Sequence, residues 1–477
     1  MLFVRSNKNI INGGNKLKKL FTALIMVALI LSLPATALAA EPTAADYQRM
    51  FGEVLEFVKD GYAFGDELTE KELFEAAMKG MFDQIDPYSE FLTPEEGEAF
   101  SNSLQSAYVG IGVVLKQTNE YVSVAKVFPE SPAEKAGVQK GDYFINVDGQ
   151  DTMGFTPSQI QGLVLGEEGT EVTIVFGRGG TSYTATIVRG RVNAPSVESA
   201  DIKELMPKLT DEQSKKIGYI AITSFSDETD KEFKKEIERI KAKGINQLVL
   251  DLRDNGGGYV STAVEAAREI IPKGQIVSFV NSQNQKKSYN SSLENPPFEI
   301  VALINENSAS ATEFVAAAIQ DSKVGSLVGE TTYGKGVSQF YFTYQFGYDI
   351  KLTMEEFFSR DNKKIHEIGV TPDYYVEIPD FLVGTTRYYI NDTNESVKNI
   401  EQILKYLGYD IAEPDDFFDL NTFEALKIFQ RNNKLYPYGV CDLTTQNKLN
   451  DALYNSIEAY DPQLSKAVSL ILDKTEK

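Results

Sequence analysis

A serine among small residues, a lysine between glycines and a glycine triplet are the parts of this 477-residue sequence whose types and spacing could do chemistry. The serine is Ser310, in Asn305-Glu306-Asn307-Ser308-Ala309-Ser310-Ala311-Thr312-Glu313, between the strand-like run 299–304 and the helical pattern 312–321. A small-residue turn there would hold a hydroxyl clear of bulk, and the first N–H groups of a helix lack internal partners and can bind an oxyanion. Ser308 and Ser310 could equally be helix caps, as most serines in that position are.

The lysine is Lys335, twenty-five residues on, in Gly334-Lys335-Gly336 at the start of the strand-like run 339–344. It serves as a general base only when neutral, so its pKa must fall from about 10.4 towards roughly 7, which burial can achieve. Gln339 is placed to orient the amine. The bland alternatives are an exposed turn lysine and a strand glutamine facing water. The glycines end Leu250-Asp251-Leu252-Arg253-Asp254-Asn255-Gly256-Gly257-Gly258, a strand running into a turn that bares N–H groups. Tyr259-Val260-Ser261 does not supply the Gly-Lys-Ser/Thr of a phosphate cradle, so an oxyanion hole shared with the Ala311 N–H is the better fit.

Other machinery is excluded by scarcity. His366 and Cys441 are single, so neither HExxH nor CxxC zinc sites can be built. No GxSxG elbow accompanies His366, which stands in the charged stretch DNKKIHEIG and is expected at the surface. Cys441 sits in a turn-like stretch far from any base. Ser123 and Lys126 have SxxK spacing but lie in an alternating strand, where residues three apart face opposite sides.

The elements around these residues read as a multidomain α/β protein. Residues 43–105 carry helical periodicity, with Tyr47, Met50, Phe51, Val54, Leu55 and Val58 three and four apart. From 106 to 192 the pattern is short alternating runs broken by glycine, a small β-rich domain. Residues 193–385 alternate buried-strand runs with helical stretches, an α/β core with βαβ crossovers. Residues 395–460 read as three helices, Ser396–Leu407, Asn421–Asn432 and Thr444–Ala452, an appended module, and Lys474–Lys477 as a frayed end.

Five positive charges precede the apolar run Leu20–Leu33, and Ala37-Leu38-Ala39 offers a small-x-small cleavage pattern, so residues 1–39 read as an export signal. That run of 14 residues is shorter than the roughly 20 a bilayer span needs, which favours a cleaved signal over an anchor. Removing those 39 residues takes the net charge from −22 to −27, a field that would repel nucleic acid.

The Ser310, Lys335 and glycine stretches together resemble the C-terminal processing peptidases, the serine-protease family that includes tail-specific protease. The resemblance implies a crotonase-like core, with Ser310 as nucleophile, Lys335 as base, Gln339 as its partner and Gly257–Gly258 with Ala311 as oxyanion hole, Gly258 and Ala311 being the expected donors. No metal or cofactor is implied. DPYSEFLTPEE (86–96) resembles the family's stretch before its PDZ domain, and Tyr108-Val109-Gly110-Ile111-Gly112-Val113 its carboxylate-binding loop, which implies protein substrates presented by their C-terminal tails. The three-helix tail resembles a peptidoglycan-binding module, with a dimer-forming or purely structural tail as its alternative. Relatives often dimerise, which leaves a homodimer open. Two departures stand out: Leu165 replaces a basic residue before Gly166, and Gly256 replaces a proline. The expected function is an extracytoplasmic serine endopeptidase, and its rival a non-catalytic PDZ and wall-binding scaffold.

Overall fold

The computed structural model describes residues 41–117 and 121–475. Residues 1–39, expected from the sequence to be an export signal, lie outside them. The chain divides into two units, residues 1–80 and 81–477.

In the first, helix Ala44–Gly61 opens on a capping box, Thr43 accepting from the N–H of Asp46 and the Asp46 carboxylate accepting in return from that of Thr43. None of its residues is buried, so Tyr47, Met50, Phe51, Val54, Phe57 and Val58 form an exposed apolar stripe.

The second unit opens with strand Glu90–Leu92, which pairs antiparallel with Asp349–Lys351 of the large domain, ahead of the short helix Pro94–Ser103. The β-rich domain follows. Its strands Val113–Gln117, Val122–Val127, Tyr143–Val147, Glu171–Arg178 and Thr181–Val188 lie side by side in that order, antiparallel. Alternation drives this sheet, since Val172, Ile174 and Phe176 point into the core with Phe144 and Ile160. Strand Ala107–Gly110 pairs with Gly190–Asn193 and brings entry and exit of the domain together.

The large domain is built on a six-stranded sheet in the order Val197–Ala200, Ile217–Ile222, Gln247–Asp251, Glu299–Ile304, Gly325–Gly329, Tyr374–Tyr375. Only the first pair is antiparallel. Every residue of Gln247–Asp251 is buried, because both faces of the sheet are covered. Helices Thr229–Ala242, Val260–Arg268 and Ala311–Ser322 supply one face, through Phe233, Ile237, Ala263 and Phe314. A second, antiparallel sheet carries Asp349–Phe358 paired with Val337–Thr343 and Gly274–Asn281.

The other face is covered from an unexpected quarter. The three helices of the C-terminal module are present, at Glu395–Tyr406, Leu420–Asn432 and Leu443–Ala459, around a core that includes Cys441. Burial pushes that thiol up from its ordinary range, which disfavours the thiolate. A fourth helix, Pro462–Thr475, then returns to the six-stranded sheet. Its Leu464, Ala467, Val468 and Ile471, at helical spacing, pack on Val249, Val301, Leu303 and Val328. The module is therefore an insertion, with the chain's last helix belonging to the large domain. Each buried aliphatic side chain of that helix contributes about 1.5–3 kcal/mol.

Candidate active site

The sheet brings the three sequence stretches to one end. Strand Glu299–Ile304 leads to Ser308, whose hydroxyl donates to the Leu252 carbonyl at 2.8 Å and accepts from the Asn305 N–H at 3.0 Å. Ser308 is thus a strut between the serine loop and the glycine strand. The Ala309 N–H adds a 3.0 Å bond to the Asn255 carbonyl. Asn255 is fully buried, its amide nitrogen donating to Ile222 O and its Oδ1 accepting from the Gly257 N–H, both at 2.9 Å.

Those contacts set the glycine turn against the serine. A Cβ on Gly257 (φ 101°) would lie 2.9 Å from Ser310 Cβ and 3.1 Å from the Ala311 nitrogen, so only glycine lets the turn approach this closely. At Gly258 (φ 140°) a Cβ would collide with the Phe225 carbonyl. The Gly257 N–H is taken by Asn255, whereas those of Gly258 and Ala311 have no partner among the described residues.

Ser310 stands at φ 57°, ψ −118°, outside the extended conformation of an ordinary capping residue. Such backbone strain costs on the order of 1–3 kcal/mol and persists only where the surroundings impose it. Those surroundings include Glu313, which is fully buried. Its Oε2 accepts from the main-chain N–H of Ser310 at 2.7 Å and that of Lys335 at 2.8 Å. Its Oε1 accepts from Thr332 Oγ1 at 2.6 Å and the Gly334 N–H at 2.7 Å. Burial pushes this carboxyl up from its ordinary value, against the pull of those four donors.

Lys335 is half-buried, with Nζ 4.8 Å from the centroid of the Tyr88 ring. Burial, helped by repulsion from Lys351, lowers its pKa against the attraction of Glu90, Asp86 and Glu313. Tyr88 is fixed by Asp86, whose Oδ1 accepts from the N–H groups of Tyr88 and Ser89 at 2.7 and 2.8 Å. Neither Asp86 nor Tyr88 stands out in the sequence as a neighbour of Lys335, although both lie in the 86–96 stretch. No hydrogen bond joins the Ser310 hydroxyl to the Lys335 amine. Gln339 does not hold that amine either: its Nε2 donates to Thr353 Oγ1 at 3.1 Å. His366 is not the surface residue expected, being half-buried, with its backbone against Gly336, its ring 6.4 Å from that of Tyr88 and its Nδ1 without a partner among the described residues.

In the β-rich domain, Val109 and Gly110 close a strand while Ile111 and Gly112 turn away from it. The carbonyls of Ile111 and Gly112 accept from Ala133 and Phe128, and their own N–H groups have no partner among the described residues. A Cβ on Gly110 would approach Leu165 Cδ2 at 3.0 Å. The nearby charge is Arg189, buried and bound to the carbonyls of Leu163, Val164 and Glu171 and to Thr170 Oγ1.

Comparison with known proteins matches three parts of the chain to families. Residues 216–376 match Peptidase family S41, 123–178 a PDZ domain and 393–449 a putative peptidoglycan binding domain. The carboxy-terminal processing protease CtpA of Bacillus subtilis (strain 168) is 29% identical over 465 residues, covering 95% of this chain and 97% of that one. A probable CtpA-like serine protease of Staphylococcus haemolyticus (strain JCSC1435) is 31% identical over 407 residues, covering 83% and 80%. Among solved structures, the photosystem II D1 C-terminal processing protease aligns over 69% of this chain and 92% of its own, at 26% identity and a TM-score of 0.42.

Proposed function

The chain belongs to the carboxy-terminal processing serine proteases of peptidase family S41, and from that premise we propose that Ser310 and Lys335 are its nucleophile and base. The carrying observation is that one buried carboxylate, Glu313, binds the main chain of both. Lys335 Nζ takes the Ser310 proton as Oγ adds to the scissile carbonyl carbon, and the N–H groups of Gly258 and Ala311 receive the oxyanion. The ammonium protonates the leaving amine. Water then adds to the acyl ester, Lys335 takes its proton, and Oγ leaves with it. The serine–lysine hydrogen bond forms with substrate bound, as catalytic contacts often do, and Gln339 turns from Thr353 to steady the amine.

Substrates are extracytoplasmic proteins cut near their C-termini, their terminal carboxylates held by the Ile111 and Gly112 N–H groups. Residues 1–39 direct export, and the inserted module holds the enzyme at peptidoglycan. The apolar stripe on Ala44–Gly61 suits a second copy of the chain, which a lysine at Val54 would separate in a light-scattering mass measurement.

Purified mature protein, incubated with an unfolded substrate beside its Ser310→Ala variant, tests the core of this reading. Substrate should vanish only with the unsubstituted chain. Equal persistence in both would favour a scaffold on a protease frame.

A further inference from the structure

The last helix does more than cover the sheet. It starts at Asp461, whose Oδ1 caps it by accepting from the Leu464 N–H at 2.9 Å, while Oδ2 lies 2.8 Å from Arg253 Nη1. Arg253 is largely buried and also grips Asp251, Nε to Oδ1 at 2.9 Å and Nη2 to Oδ2 at 2.6 Å. Two residues past Asp461, Gln463 is 1% exposed. Its Oε1 accepts from Arg253 Nη1 at 3.1 Å, and its Nε2 donates to Glu330 Oε1 at 3.1 Å and the Val376 carbonyl at 2.8 Å.

These partners have particular places in the chain. Arg253 lies in the run that ends in Gly257–Gly258, and the next residue, Asp254, has φ 57° and exchanges two hydrogen bonds with Asn305 of the serine loop. Glu330 opens the turn that ends in Lys335. One amide side chain from the end of the chain thus joins the roots of the oxyanion turn and the lysine turn. A cleft of about 390 Å³ runs alongside, lined by Arg253, Glu330, Gln463 and by Ile457 from the module's third helix. Only Tyr460 separates that helix from Asp461.

We propose that Asp461 and Gln463 are positioning residues of the peptidase, fixing the oxyanion turn through Arg253 and the lysine turn through Glu330, and so coupling the wall-binding module to the active centre. This rests on Ser310 and Lys335 being that centre. A packing role alone would need only the apolar stripe. The buried polar contacts aim instead at the two turns whose relative placement sets the rate, and a misplacement of about 1 Å can cost about a hundredfold.

The test uses the full mature chain, a soluble peptide substrate and a fluorophosphonate that labels the active serine. Asp461→Asn keeps the helix cap and removes the charge on Arg253, and Gln463→Leu keeps the volume and removes the bridge. Both should lower kcat about tenfold or more with KM within about twofold and slow labelling in parallel, with the melting temperature falling only as far as the loss of a buried polar partner requires. Asp461→Glu should recover most of the rate. Ile471→Ala, on the same helix but facing only the apolar core, should lower the melting temperature and leave kcat of the folded enzyme unchanged. Parent-like kcat and labelling in both Asp461→Asn and Gln463→Leu would overturn the proposal. Failure of the parent chain to be labelled at Ser310 would overturn the active-centre reading beneath it instead.

Discussion

Ser310 and Lys335 donate their main-chain N–H groups to the same oxygen, Oε2 of Glu313, at 2.7 and 2.8 Å. The proposed nucleophile and base are therefore registered through their backbones, and the carboxylate that does so is fully buried. An acceptor-only group facing four donors is needed there. Glu313→Gln would turn an amide NH2 towards N–H groups. The expected result is a loss of about 2–4 kcal/mol of stability and a fall in kcat of at least about a hundredfold, measured by denaturant titration and peptide turnover.

As the proposed base, Lys335 should carry the pH dependence of the rate. Its amine reacts when neutral and its pKa lies below that of free lysine because of burial, so kcat/KM should climb as pH rises through that lowered value. Tyr88→Ala would admit water around Nζ, stabilise the ammonium and move the climb to higher pH. A limb unmoved by this change would show that the tyrosine ring is not what dries the amine. Lys335→Arg should be inactive at every pH, since a guanidinium cannot give up its proton.

Much of this centre was legible in the chain. Small residues around Ser310, glycines around Lys335 and the glycine triplet after a wholly buried strand each announce a backbone that must come close to something. What stayed hidden depends on partners distant in sequence. Strand Glu90–Leu92 is three residues long, too short for alternation to register. The Gln339 amide meets Thr353 in a pairing interrupted by a bulge at Ser338/Gln339, a register that composition cannot supply. The last helix has a clean stripe of Leu464, Ala467, Val468 and Ile471, but its covering surface, from Val249 to Val328, lies well over a hundred residues upstream.

That helix changes what truncation means. Ending the chain before Pro462 would bare the sheet face formed by Val249, Val301, Leu303 and Val328. Such a chain should aggregate or melt far below the parent, and Leu464→Ala alone should cost about 2–5 kcal/mol in a denaturant titration. Deleting residues 391–477 therefore removes part of the large domain along with the module.

Glu330 should impress its own signature on stability. Burial first, then the neighbouring carboxylates Glu306, Glu377 and Asp380, hold its carboxyl at about 7 against the Ile378 N–H. The unfolded chain releases that proton near the ordinary 4.5. Across that window the folded state binds more protons, so this contribution is complete on the acid side and disappears as pH rises through about 7. Stability should fall by about 1–3 kcal/mol between about pH 5 and pH 8, and Glu330→Gln should flatten the fall. Parallel curves for the two proteins would assign the pH dependence elsewhere.

Wall attachment is best tested without touching the last helix. Tyr436 is 79% exposed on the loop after Leu420–Asn432, with Tyr438 beside it at a ring separation of 6.0 Å. Exposed aromatic faces pack well against the apolar faces of sugar rings, and neither side chain belongs to the buried core of the module. Tyr436→Ser should therefore reduce co-sedimentation with purified sacculi, while the melting temperature and the turnover of a soluble peptide stay at parent values. If sedimentation is unchanged while the folded module is intact, these tyrosines are not the wall-binding face.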